Sequence, residues 1–239
     1  MINQKEYFDC LHNAGVGFIT GVPDSLLNEF CLYAESELPS EKHVIAANEG
    51  NAIALATGYH LATGGVPLVY MQNSGLGNAT NPLLSLTHKD VYAIPMVLLI
   101  GWRGDPGIND HIQHIKQGEL TPMFLDSMGI PFKIIENDET NVFELAEWAV
   151  RTAKRESGPV ALLSKKGVFE KGKKEQADIC ISQYTLTREK AIECVLASVP
   201  VNSVFVATTG RATREIYELL GKLGGGHERD FLNVGAMGH

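Results

Sequence analysis

Apolar positions along the chain switch between two periods, and the switches mark out elements. Over residues 3–14 the side chains of Tyr7, Phe8, Leu11 and Ala14 recur at helical spacing, and Gly15 ends the run. Residues 16–20 predict a short strand. Gly21-Val22-Pro23-Asp24-Ser25 predicts a turn, with Asp24 or Ser25 as N-cap of a helix to about Glu35. Residues 43–47 are strand-like, and 49–61, rich in Ala and Leu, predict a buried helix stopped by Gly64-Gly65. A strand at 66–71 leads into a glycine-containing loop, 72–78, and then a helix to about Thr87. The apolar run 95–100 suits a central parallel strand, and 101–118 reads as a long polar loop. Helix 119–127, strand 131–135, helix 140–155 and strand 159–164 complete the series.

Strands and helices alternating at this spacing predict an α/β fold, a parallel sheet covered by helices on both faces with right-handed crossovers. Ligands of such sheets bind outside the carboxyl ends of the strands. Segments 21–25, 72–78 and 101–118 leave those ends carrying polar residues, which places the functional edge there. Residues 1–165 thus read as one domain. Residues 166–186 are charged and without a period, Lys166, Lys171, Lys173 and Lys174 among them, and read as a solvated linker rather than a nucleic-acid patch. Helix 187–197, strand 203–206, helix 211–220 and strand 230–234 then open a second α/β domain, 187–239. Residues 235–239 form a glycine-containing loop leaving a strand, so the second domain is expected to be truncated there, its remainder lying beyond His239.

Composition sets limits on this picture. Of the 239 residues, 44% are hydrophobic and 20% charged, ordinary values for a soluble globular protein. A formal net charge of -8 argues against a nucleic-acid partner. Cys10, Cys31, Cys180 and Cys194 form no C-x-x-C pair and read as reduced thiols. The first residues are too polar to begin a signal peptide, and the longest apolar run, 91–100, is too short for a bilayer. No membrane partner is expected, and the cytoplasm is the expected location.

Ala46-Ala47-Asn48-Glu49-Gly50-Asn51-Ala52 puts a carboxylate between a strand and a helix of small apolar residues. Glu49 at that helix N-terminus is favoured by the dipole, and is either a first-turn cap or a functional group. A Glu in an apolar junction is costly unless paired or used. Asn73, Ser74, Gly75 and Gly77 form either a plain turn or one whose glycines admit a flat ligand to the backbone; no Gly-Lys-Ser/Thr follows, which argues against a phosphate loop. Segment 101–118 carries Trp102, Arg103, Asp105, Asp110, His111, Gln113, His114 and Lys116. His111 and His114 lack further ligands at metal-site spacing, so no metal site is expected there. Arg103 and Lys116 are either surface charges or partners of an anionic group. No G-x-G-x-x-G follows the first strand, which argues against a dinucleotide site.

Taken in order, Gly21-Val22-Pro23-Asp24-Ser25, Asn48-Glu49-Gly50-Asn51-Ala52, Gln72-Asn73-Ser74-Gly75-Leu76-Gly77-Asn78 and Gly101-Trp102-Arg103-Gly104 with Gln113-His114 resemble the thiamin-diphosphate-dependent 2-keto-acid decarboxylases. The resemblance is nearest to the branch acting on phosphonopyruvate and sulfopyruvate, and covers essentially the whole chain. It implies that 1–165 is a pyrimidine-binding domain and 187–239 the start of a diphosphate-binding domain. It implies that Glu49 hydrogen-bonds N1′ of the cofactor's aminopyrimidine, favouring the tautomer that removes the thiazolium C2 proton. By the same resemblance Asn73, Ser74, Gly75 and Gly77 touch the cofactor, His114 and Asp24 move protons, and Ser25, Gln113 and Arg103 meet the substrate. The implied reaction takes a 2-keto acid with a phosphonate head group, 3-phosphonopyruvate, to phosphonoacetaldehyde and CO2, with the cofactor as electron sink. A homodimer or larger homo-oligomer is implied. Thiamin diphosphate and Mg are the implied cofactors. The family's Gly-Asp-Gly motif is absent, since Gly104-Asp105-Pro106 departs at its third position, so the Mg ligands are expected beyond residue 239. Thr208-Thr209-Gly210-Arg211 resembles the first turn of the diphosphate domain. The rivals are a sulfopyruvate decarboxylase, a synthase joining two keto acids, and a non-catalytic subunit or module keeping the fold.

Overall fold

The computed structural model describes residues 1–139, 141–172, 185–208, 210–224 and 226–234. Most of the expected linker, Thr209 and residues 235–239 lie outside the described residues. The chain divides into two compact units, Met1–Lys173 and Lys174–His239.

In the first unit helices and strands alternate as α1 (Gln4–Ala14), β1 (Val16–Gly21), α2 (Asn28–Glu37), β2 (His43–Ile45), α3 (Glu49–Thr63), β3 (Val66–Gln72), α4 (Leu76–Pro82), β4 (Met96–Gly101), α5 (Ile112–Ser127), β5 (Phe132–Ile135), α6 (Val142–Glu156) and β6 (Pro159–Ser164). The six strands make one sheet in the order β2-β1-β3-β4-β6-β5, and every neighbouring pair is parallel. Strands β3, β4 and β6 are buried along their whole length, as strands covered on both faces must be. Successive side chains feed two core layers. Leu68, Tyr70, Val97, Leu99 and Leu162 pack with Tyr7, Phe8, Phe30 and Leu145 of α1, α2 and α6. Val69, Met71, Leu98, Ile100 and Leu163 pack with Ile53, Ala56, Leu76 and Leu125 of α3, α4 and α5.

Local chemistry sets where the helices begin and end. The Asn3 side chain accepts the Glu6 amide to open α1, and Gly15, at φ 108°, closes it. Asn48 caps α3 by accepting the Asn51 amide, and Gly64, at φ 70°, ends it. The strand order places β1 beside β3 while the chain leaves them for opposite sides of the sheet. The crevice outside their carboxyl ends is therefore a topological switch point, where open α/β sheets bind ligands.

Several local expectations are corrected. Neither Asp24 nor Ser25 caps α2: the helix starts at Asn28 behind Leu27, which offers no side-chain cap. Asp24 instead turns its own backbone, Oδ2 accepting the Leu26 amide at 3.1 Å. Residues 73–78 are not a loop. A 3-10 turn, Asn73–Gly75, runs directly into α4 and a widened turn, Leu83–Thr87. Burial of Leu76, Ala79 and Leu83 against the sheet overrides the poor helix propensity of the glycines. The long polar loop is shorter than read, because α5 begins at Ile112 and holds Gln113 and His114 in its first turn. Strand β2 stops at Ile45. Val168 and Phe169 are buried in the first core layer and Ile2 bridges Phe169, so the first unit reaches past residue 165.

The second unit contains α7 (Arg188–Ser198), capped by Thr187, then β7 (Phe205–Thr208), α8 (Arg211–Lys222) and β8 (Asp230–Val234). Strands β7 and β8 pair in parallel. Among the described residues no helix is long and apolar enough to cross a membrane.

Candidate active site

The turn after β1, the start of α3 and the segments after β3 and β4 supply the polar groups at the carboxyl edge. Asp24 is only 6% exposed. Its Oδ1 accepts from Gln72 Nε2 at 2.7 Å. Gln72 ends β3, and its Oε1 accepts the Ser74 hydroxyl at 2.7 Å. Ser74, Gln72 and Asp24 thus form one line across the switch point. Asp24 also lies against the end of β4, where a Cβ added at Gly101 would overlap its carboxylate. Burial raises the Asp24 carboxyl above its ordinary value, while the hydrogen bonds from Gln72 and Leu26 and the charge of Arg103 pull the other way.

Glu49 is the first residue of α3 and is buried. Its Oε2 accepts from Asn78 Nδ2 at 2.8 Å. Gly75 lies directly against the carboxylate, and a Cβ there would overlap it. Gly77 is the opposite case, since an added Cβ would meet nothing within 4 Å. Gly77 lines an open, mainly apolar groove of about 500 Å³ together with Asn73, Ser74, Leu76, Thr121 and Phe124.

Asn73 clasps the backbone after β4. Its Nδ2 donates to the Arg103 carbonyl at 2.8 Å and to Thr121 Oγ1 at 2.9 Å, and its Oδ1 accepts the Arg103 amide at 3.1 Å. The Arg103 guanidinium meets Asp110 through two nitrogens, Nε donating to Oδ2 at 2.7 Å and Nη2 to Oδ1. Its Nη1 donates to Ser25 Oγ at 2.9 Å. Asp110 accepts two further bonds, from the amides of Gly104 at 3.0 Å and His111 at 2.8 Å. The Arg103 bond above all holds its carboxyl well below the ordinary range. Ser25, Trp102, Arg103, Asp105, Asp110 and Lys166 line a cavity of about 250 Å³. His114 Nδ1 is buried without a hydrogen-bond partner. Burial first, and the Arg103 charge next, hold this ring below its ordinary value, with Asp110 and Gln117 opposing, so it is neutral at neutral pH.

Asp24, Ser25, Ser74, Arg103 and Asn73 therefore fall around one edge, while Glu49 and Gly75 pack together beside it. Gly77 lines the groove, and Gln113 stands half-buried in α5 with no hydrogen bond to this set among the described residues. The sequence reading did not single out Gln72, Asn78, Asp110 or Thr121 as site residues. A glutamine closing an otherwise apolar strand was a usable signal for Gln72. Asp110 and Thr121 act across gaps that no local pattern encodes.

Residues 5–127 match the model described as thiamine pyrophosphate enzyme, N-terminal TPP binding domain. The chain is 34% identical over 252 residues to a phosphonopyruvate decarboxylase of Streptomyces viridochromogenes, an alignment covering 100% of this chain and 61% of that protein. It is 31% identical over 147 residues to the sulfopyruvate decarboxylase subunit alpha of Methanothermobacter thermautotrophicus, covering 60% of this chain and 86% of the relative. Its fold is similar to that of benzoylformate decarboxylase from Polynucleobacter necessarius, with a TM-score of 0.51 and 20% identity over 87% of this chain and 38% of that one. The chain spans 61% and 60% of the length of the two curated phosphonopyruvate decarboxylases it matches.

Proposed function

This chain belongs to the thiamine pyrophosphate enzymes, and from that premise we propose that it forms the pyrimidine-binding part, and the opening of the diphosphate-binding part, of a decarboxylase converting 3-phosphonopyruvate to phosphonoacetaldehyde and CO2. The observation that carries the reading is Glu49, a buried carboxylate opening α3 and packed against Gly75 at the ligand-binding edge of the sheet. The similarity to phosphonopyruvate decarboxylases along the whole chain supports the choice of substrate.

The residues present fit the pyrimidine end of thiamin diphosphate. Glu49 offers an acceptor with one oxygen already oriented by Asn78, and Gly77 leaves a wall without side chain. The other end is different: among the described residues no three His, Cys, Asp or Glu side chains are placed to hold a metal ion. In this proposal the magnesium ligands lie beyond residue 239, as the family resemblance implies. When bound, the cofactor supplies a nucleophilic carbon and an electron sink.

The chain's own residues do the rest. Glu49 holds and shares the proton on the pyrimidine nitrogen. Asn73, through its grip on Arg103, fixes the segment after β4, and Ser74 and Gln72 orient Asp24. Asp24, whose carboxyl is raised by burial, is suited to hold a proton and release it to the product carbon. Neutral His114 is suited to the same exchange. Arg103, with Ser25 and Gln113, meets the anionic head group, for which a planar five-donor guanidinium is the natural partner. A homodimer or larger assembly in the cytoplasm belongs to the same proposal.

The test is a coupled decarboxylation assay on the whole protein. Glu49→Gln is expected to lower kcat by about 10²-fold or more while the thermal midpoint is unchanged. Near-parental activity in that variant would remove Glu49 from the mechanism. The second reading, a sulfopyruvate decarboxylase, is favoured by the match to most of an alpha subunit of that enzyme. Faster turnover of sulfopyruvate than phosphonopyruvate would select it.

A further inference from the structure

We propose that Asp110 is a replaceable internal anion: its carboxylate occupies the place of the substrate's tetrahedral anionic head group and gives up Arg103 when that group arrives. The inference rests on the proposed function for the identity of the natural ligand. Its geometry stands within the first unit alone.

Four N–H donors converge on the Asp110 carboxylate, two from Arg103 and one each from the backbones of Gly104 and His111. A set of guanidinium and amide donors on adjacent oxygens suits a phosphonate as well as it suits a carboxylate. The site borders the 250 Å³ cavity, whose lining also includes Ser25, Asp105 and Lys166. Among the described residues Lys166 has no ion-pair partner and Asp105 is paired with Lys165 at 3.8 Å, so once Asp110 gives way the cations of this lining open to a ligand are Arg103 and Lys166. A doubly charged head group would satisfy both.

The two partners of the Arg103–Asp110 pair are held unequally. Arg103 is fixed at its backbone by Asn73 on both amide and carbonyl, and Asn73 is itself tied to Thr121. Asp110 follows four consecutive exposed residues, Pro106 to Asn109, on a segment that turns at Gly107 with φ 92°. In the proposed exchange the cation stays in place and the anion leaves. An incoming head group must compete with Asp110, which an uncharged head group does not do. Asp110 thereby sets selectivity: it keeps Arg103 paired against small neutral-headed acids and yields to a phosphonate. A site whose competent state is only partly populated binds more weakly by that fraction, and removing the competitor restores the affinity.

The experiment is calorimetric titration of this chain with methylphosphonate and with inorganic phosphate. Asp110→Asn keeps an acceptor for the backbone amides and removes the charge. It is expected to bind both probes roughly tenfold more tightly than the unsubstituted chain. Arg103→Ala is expected to abolish that gain when combined with it. Equal or weaker binding by Asp110→Asn, or tight binding that survives the loss of Arg103, overturns the proposal. Hydrogen exchange on the unsubstituted chain keeps the test open should the variant fold poorly. Saturating phosphate should speed exchange at residues 105–111, and slower or unchanged exchange there overturns the displacement. Both readouts report anion binding, so they are independent of whether the whole protein decarboxylates phosphonopyruvate.

Discussion

Asp24 and Asp110 both feel the charge of Arg103, yet their environments shift them in opposite directions. Asp24 is raised by burial, so its ionisation opposes folding. That cost is absent below the unfolded carboxylate value of about 3.9, grows as pH rises toward the folded value, and is complete above it. Asp110 is depressed by its bond to Arg103, so its ionisation favours folding. That contribution is present above the unfolded value and is lost as pH falls toward the folded one. Urea unfolding from acid to neutral pH separates the two. The stability of Asp24→Asn relative to the unsubstituted chain should move in the variant's favour as pH rises from about 4. The deficit of Asp110→Asn at neutral pH should close as pH falls from the same point. Parallel curves for Asp24→Asn across the range would mean that burial does not govern its titration. The same opposition matters for chemistry: a raised carboxyl can carry a proton, whereas a depressed one stays an anion and can stand in for another.

At the scale of elements, the site depends on how closely α5 approaches the segment after β4. Gly104, at φ 70°, and Gly118, inside α5, cross backbone to backbone, and a Cβ on Gly118 would overlap the Gly104 carbonyl. Trp102 Nε1 donates to the Gly118 carbonyl at 2.9 Å across the same contact. Gly118→Ala must therefore push two backbones apart, which costs about 3 kcal/mol. For a chain of this size the thermal midpoint should fall by roughly 6–12 °C. A circular-dichroism melt checks it, and an unchanged midpoint would mean that the crossing relaxes freely. This contact also explains what could and could not be read beforehand. Strands β3, β4 and β6 were legible because strands buried on both faces write unbroken apolar runs. Glu49 was legible because a carboxylate between an apolar strand and an apolar helix is conspicuous without any partner in view. The start of α5 was not: Ile112 and Ile115 are exposed, which blurs the helical period, and Gly118 looks like a breaker while serving as a packing contact. Glycines at 75 and 77 disguised the turn into α4 in the same way. The pairing of Gln72 with Asp24 joins residues 48 apart in sequence, and no local period carries that information.

Across the whole molecule, the proposed function divides the cofactor between groups that this chain shows and groups that it does not. The first unit presents a buried carboxylate at Glu49 and open space at Gly77, the groups that the proposal gives to an uncharged ring. The described residues contain no three-ligand acidic or histidine cluster for a metal, and the formal net charge of -8 gives a diphosphate no general attraction. On the proposed function, binding by these 239 residues should then not depend on magnesium. Thiamin diphosphate titrated into the chain, followed by calorimetry, should bind weakly and equally well with magnesium or with EDTA. Thiamin without its phosphates should bind comparably, and Glu49→Gln should weaken both. The whole protein should behave differently, because a metal holding the diphosphate couples its own binding to that of the cofactor. Removing magnesium there should cost at least about 1.4 kcal/mol, a tenfold loss of affinity. Tight, magnesium-dependent binding by the 239 residues would place metal donors in the undescribed segments and overturn this division. Equal indifference to magnesium in the whole protein would instead count against a metal-anchored diphosphate, and with it against thiamin-dependent decarboxylation as the activity.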